Sequence, residues 1–154
     1  MNDSIGLKEQ AVGRRLLILT RRLDTRLVRF LLVGITGVGV STAVLWIATR
    51  GFGLATLWGG LLASLVSTGT NFLLNDVFTW RDRRVGGLGP WFGRLIRYYI
   101  TTFAGNVIYL GVLSALVHGL RIFDLLANLV AIGVGGTFNY LIHNLWTWRK
   151  GAHR

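Results

Sequence analysis

The chain has 154 residues, 52% of them hydrophobic, with a mean hydropathy of +0.53 and a formal net charge of +11. It has no cysteine, which excludes disulfides, thiolate chemistry and cysteine-ligated metal sites. The basic excess would suit a nucleic-acid binder, but the charges are segregated from long apolar runs and leave no soluble basic face, so nucleic acid is excluded as a partner.

Residues 1–28 form a basic amphipathic segment. Val12, Leu16, Leu19, Leu23 and Leu27 recur at helical spacing among Arg14, Arg15, Arg21, Arg22 and Arg26. That pattern predicts an interfacial helix on an anionic membrane surface; a solvated tail is the alternative, since Gly13 weakens the helix. It does not read as a signal peptide, because the apolar run 16–20 is too short and Arg21 and Arg22 interrupt it.

Charged residues and histidine are absent from 30–49, 51–75 and 98–117, and His143 alone interrupts 125–148. Each run reaches about 20 residues, which at about 1.5 Å per residue crosses a hydrocarbon core of about 30 Å. None has the polar face of a soluble amphipathic helix. The fold class is therefore an all-α membrane protein with four transmembrane helices. The first span carries Gly34, Gly37 and Ser41, which let a neighbouring helix approach. The second places Gly59, Ala63, Ser67, Asn71 and Asn75 at four-residue intervals, and the fourth places Ala127, Ala131, Gly135, Asn139 and His143 likewise. Residues 82–96, with Gly86, Gly87, Gly89 and the single proline Pro90, read as a loop whose end, from Trp91, leads into span three. Asn106 and Tyr109 lie near the middle of that span, and residues 150–154 are a basic tail.

Of the 17 Lys and Arg, only Arg50 and Arg121 mark the other side. The positive-inside rule then puts both termini and the central loop in the cytoplasm. Residues 71–81 (NFLLNDVFTWR) recur 68 positions later as 139–149 (NYLIHNLWTWR), and the register extends backward to pair Arg29 with Arg97 and Gly37 with Gly105. Two parallel two-helix repeats, 29–81 and 97–149, are expected to insert the same way up.

An amide in hydrocarbon is costly unless paired. Asn71 and Asn139 either bond across helices or face a polar cleft between the halves, which Ser67, Asn106 and Tyr109 would also line. Trp80 and Trp148 suit an aromatic belt. Arg29, Arg81, Arg97 and Arg149 form a ring at the cytoplasmic helix ends; topology alone would place them there, and guanidinium forks also match phosphate oxygens. Asp76 suits an ion pair with Arg29 or Arg81, or proton coupling together with His143. No metal cluster, nucleophile with base, or glycine loop followed by lysine appears, so no metal, cofactor or catalytic residue is expected and the chain reads as a non-enzyme.

RFLLVG at 29–34, NFLLNDVFTW at 71–80, the restart at 97–100 and NYLIHNLWTW at 139–148 make the chain resemble the GtrA-like family of small four-span membrane proteins, over about residues 29–149. It departs from the family pattern at Asp76 and Val77, where basic residues usually follow the second Asn; Arg81 and Arg149 are then the better phosphate candidates. The resemblance implies a bacterial inner-membrane flippase that moves polyprenyl-phosphate-linked sugar outward for cell-wall and surface polysaccharide synthesis. In that reading the amide-lined cleft takes the headgroup, the arginines take the phosphate, and membrane lipids surround a chain that a homodimer would complete. The alternative is a non-transporting scaffold that recruits a glycosyltransferase. A small-multidrug-type exporter fits less well, because such exporters rely on an acid deep in span one and residues 30–49 have none.

Overall fold

The computed structural model describes the backbone of residues 3–149 and the side chains of residues 25–149. Its long helices are α1 (Asp3–Trp46), α2 (Thr56–Leu74), α3 (Leu88–Ser114) and α4 (Asp124–Ile142). Four segments are long and apolar enough to cross a bilayer: Thr25–Gly51, Thr56–Thr79, Leu88–Gly119 and Asp124–Thr147. Only 11–17% of each apolar window is buried within the protein, so acyl chains must cover the rest, as in a multi-pass membrane protein. The amphipathic face expected over residues 1–28 falls mostly on side chains outside the described residues, as does the basic tail 150–154.

α3 begins ten residues before the charge-free run that marks it in the sequence, so the expected loop 82–96 is shorter than its composition suggests. Pro90 explains the difference. In the first helical turn the proline's missing N–H has no intrahelical acceptor to lose, and its fixed φ suits the helix. Gly87, at φ +96°, supplies the left-handed backbone from which the helix starts.

All four spans end in a widened, π-type turn: Ile47–Gly51, Asn75–Thr79, Ala115–Gly119 and His143–Thr147. At the arginine-rich end, the Trp80 N–H donates to the Asn75 carbonyl and the Trp148 N–H to the His143 carbonyl, each at 2.9 Å. At the opposite end the chain reverses within a few residues, with Leu54 N–H donating to Ala48 and Ile122 N–H to Leu116, both at 3.0 Å. Gly53 (φ +66°) and Arg121 (φ +53°) take the same left-handed conformation at register-equivalent positions.

α1 packs along α2, and α3 along α4, giving two antiparallel hairpins. Small residues set the approach. A Cβ at Gly37 would overlap the Asn71 carboxamide, and a Cβ at Gly105 would overlap that of Asn139. One at Gly135 would press on the Gly105 carbonyl oxygen at 3.1 Å. Between helices that lipid already solvates, such close van der Waals contact does the work that burial from water does elsewhere.

Arg121 carries a Cβ in a backbone conformation that glycine occupies without penalty, and Gly53 already solves the same turn. Arg121→Gly is expected to stabilise the folded chain by about 1 kcal/mol, and Gly53→Arg to destabilise it by a similar amount. Thermal unfolding of the purified protein in detergent checks both signs.

Candidate functional site

The two hairpins are joined at the arginine-rich end by a clasp centred on Trp80 and Trp148. Both indoles are fully buried and stack face to face, with centroids 4.4 Å apart and planes 3° from parallel. Each indole N–H crosses to the other hairpin: Trp148 Nε1 donates to Asp76 Oδ1 at 2.9 Å, and Trp80 Nε1 to Asn144 Oδ1 at 3.3 Å. The belt expected of these residues is thus corrected to a core. An indole with a buried partner for its N–H gains more from the interior than from the headgroup region. Phe30 meets Trp80 edge-on at 5.8 Å, and Tyr98 meets Trp148 edge-on at 5.6 Å.

The widened terminal turns aim the polar groups of this clasp. Thr79 Oγ1 donates to Asn75 Oδ1 at 2.7 Å, which leaves Asn75 Nδ2 to donate to the Tyr98 hydroxyl at 3.1 Å. At the equivalent place His143 Nδ1 lies 3.0 Å from Thr147 Oγ1, and its ring stacks on Tyr98 with centroids 4.2 Å apart.

Asp76 is 1% exposed; two donors share its Oδ1, and a further guanidinium lies beside its Oδ2 without a hydrogen bond. Arg94 Nε donates to Oδ1 at 3.0 Å, Trp148 Nε1 to the same oxygen, and Arg84 Nε forms an ion pair with Oδ2 at 3.0 Å. The expected partners, Arg29 and Arg81, are not its partners. Arg94 sits one helical turn before Arg97 on α3, and only the fold of the intervening loop brings it under α2. Arg94 Nη1 also donates to the Val85 carbonyl at 3.0 Å, tying that loop down. Arg83 crosses from the first hairpin to the end of the second, donating to the carbonyls of Asn144 (2.7 Å) and Trp148 (3.1 Å), which a helix end leaves without intrahelical donors. Burial, and then the nearby Arg26 charge, lower the Arg83 pKa from its usual value.

The five residues expected to share a polar cleft lie in two seams and on one outer face. Ser67 Oγ donates to the Gly37 carbonyl at 2.7 Å, and Asn71 lies against Gly37, all within the first hairpin. Asn139 lies against Gly105, and the Tyr109 hydroxyl donates to Asn128 Oδ1 at 2.8 Å, within the second. Asn106 is exposed on α3. The Oδ1 atoms of Asn71 and Asn139 are buried with no hydrogen-bond partner among the described residues. Asp76 and His143, weighed as proton couplers, are both committed to the clasp.

The arginine ring lines several cavities at the same end: Arg81 borders one of about 630 Å³ together with Arg84 and Arg94, and two smaller ones occupy register-equivalent places. The first of these two, of about 280 Å³, is lined by Thr25, Arg26, Arg29, Thr79, Arg81 and Asp82. Arg29 Nη1 there donates to the Phe78 carbonyl at 3.3 Å, with its guanidinium 5.0 Å from the Phe78 ring centroid. The second, of about 190 Å³, holds Arg83, Arg94, Arg97, Thr147 and Arg149. Arg97 Nε donates to the Gly93 carbonyl at 3.1 Å. Guanidinium forks gathered around a cavity are an arrangement suited to phosphate oxygens.

A family model described as GtrA/DPMS, transmembrane domain, matches residues 29–148. A dolichol-phosphate mannosyltransferase of Pyrococcus furiosus is 32% identical over 123 residues, covering 80% of this chain and 34% of that protein. The chain thus spans about a third of the length of the curated relative it matches.

Removing the Asp76 carboxylate would leave Arg94 buried and uncompensated. Asp76→Ala is expected to destabilise the chain by about 3–5 kcal/mol, and adding Arg94→Leu to recover a large part of the loss. Detergent melting curves of the two single variants and the double variant measure this; independent, additive losses would remove Asp76 from the role described.

Proposed function

The chain belongs to the GtrA/DPMS transmembrane-domain family, and on that premise we propose that it is a translocase for polyprenyl-phosphate-linked sugar, holding the lipid phosphate at its arginine-rich end. Membership supports involvement in polyprenyl-phosphate sugar metabolism. The observation that carries the finer reading is the gathering of Arg29 with Arg81, and of Arg97 with Arg149, around two cavities at one end of the bundle. That end is the cytoplasmic one by the bias of Lys and Arg, in a bacterial inner membrane, and the hairpins are parallel repeats about an axis along the membrane normal.

A sugar headgroup resists transfer because its hydroxyls lose water, so the protein must offer polar groups at intermediate depth. The unpartnered Oδ1 atoms of Asn71 and Asn139 are such groups, one in each hairpin. An unsatisfied buried acceptor costs about 1–3 kcal/mol, and a donor hydroxyl arriving with the substrate would offset that cost. The polyprenyl tail stays in lipid along the exposed apolar faces. The protein makes and breaks no covalent bond in this reading, and a second copy of the chain encloses the path. Proton coupling is not included, since Asp76 and His143 are held within the clasp.

One finding favours a second reading. The matched relative is named a mannosyltransferase, and this chain spans about a third of it. A non-transporting scaffold that holds a glycosyltransferase at the membrane accounts for that relation without translocation. The two readings separate in a purified system, because only a translocase acts with no transferase present.

In liposomes holding the purified chain and a labelled polyprenyl-phosphate sugar, the label is expected to reach the opposite leaflet faster than in protein-free liposomes. Arg97→Ala with Arg149→Ala should slow it by about tenfold or more, equivalent to about 1.4 kcal/mol, and Asn71→Ala with Asn139→Ala should slow it too. Equal rates with and without protein would sink the translocase and leave the scaffold. Because the chain has no cysteine, a single cysteine placed at Gly86 reports sidedness directly, with labelling expected from the cytoplasmic side alone.

A further inference from the structure

The two smaller arginine cavities occupy equivalent places but carry different charge. In the first, Asp82 lines the wall and pairs with Arg26. An anion entering there meets a carboxylate that already occupies one of the three guanidinium groups. In the second, no carboxylate lines the cavity among the described residues, and the sequence position equivalent to Asp82 is Lys150. Arg94, which stands where Arg26 stands in the first, turns its Nε to buried Asp76. Arg83 and Arg97 donate only to backbone carbonyls, which orient a guanidinium without neutralising it. Arg83 has no arginine counterpart in the second half, where Gly151 stands in register, so the first half lends the second an additional cation.

We propose that the duplicated cavity serves as a phosphate site in the second half only, formed by Arg97 and Arg149 with Arg83 behind them, and that Asp82 acts as a built-in anion that closes the first. This rests on the reading that the chain handles a lipid phosphate, and narrows it to one site per chain. The negative charge of a lipid phosphate, one on the sugar-linked diester and up to two on the free monoester, matches a cavity with no carboxylate in its wall, where Arg97, Arg149 and Arg83 remain without an acid partner among the described residues. Clustered like charges favour an anion most where no internal acid competes. Asp82 is then the residue that sets stoichiometry. Its own side chain is 45% exposed while that of its partner Arg26 is 11% exposed, so its removal leaves a largely buried guanidinium free to meet an anion.

Native mass spectrometry of the full chain in detergent, titrated with undecaprenyl phosphate, tests the assignment. The wild-type chain is expected to take up one copy per chain. Arg149→Gln should weaken that uptake by about tenfold or more, and Asp82→Asn should add a second copy with affinity within about tenfold of the first. A wild-type chain that binds two copies or none, an unchanged affinity in Arg149→Gln, or a single copy in Asp82→Asn would each overturn the proposal. Phosphatidylglycerol and inorganic phosphate serve as competitors. Displacement by either at equal concentration would assign the site to bulk lipid or free phosphate and overturn the polyprenyl assignment. Translocation is read separately in liposomes: a chain that gains a second copy with Asp82→Asn but moves no lipid keeps this inference and loses the translocase.

Discussion

Helices already solvated by acyl chains gain nothing from hydrophobic burial against one another, so two hairpins in a bilayer need specific reasons to stay together. The stacked pair Trp80 and Trp148 supplies them. Stacking contributes dispersion, and each indole N–H, which lipid cannot satisfy, reaches an acceptor on the opposite hairpin. The buried carboxylate of Asp76 then fixes Arg94, which fixes Val85 and the loop between the hairpins. The arginine cavities follow from this, because their walls are the ends of the helices that the clasp aligns. Loop course and charge display both trace back to one aromatic contact with two bonds across it.

Much of this is legible in the sequence. A bilayer imposes a length and a polarity on each span, so four uncharged runs give four helices whatever their packing. Small residues at four-residue spacing mark close helix contact, and Gly37 and Gly105 are where the helices of each hairpin meet. The repeated motif marks equivalent positions, and Asn75 with Thr79 and His143 with Thr147 make the same local contact at each.

What remained hidden depends on distance along the chain. Nothing in linear order tells a tryptophan at the headgroup level from one buried a few ångströms deeper; the acceptors that decide it, Asp76 and Asn144, lie on the other hairpin. The partner of Asp76 is hidden in the sequence for a related reason. Arg81 is five positions away and Arg29 marks the same end of the first span, whereas Arg94 arrives through a loop whose course is set by Gly87, just before α3, and by Pro90 in its first turn. Ser67, Asn71 and Asn139 share helical faces with small residues, and close approach of the facing helix at Gly37 and Gly105 draws Asn71 and Asn139 into seams instead of a common space.

Each hairpin contributes one indole donor and one side-chain acceptor to the crossing bonds, four positions apart on the same helix end. A surface that carries both halves of a bond is complementary to its own copy turned through half a rotation, which is the condition for an isologous dimer. A lone hairpin of this kind would therefore close upon a twin with no further chemistry. Joining the two in one chain removes the requirement that they stay identical, so an acid at position 76 can face an amide at 144, and one rim can lose the charge that the other keeps.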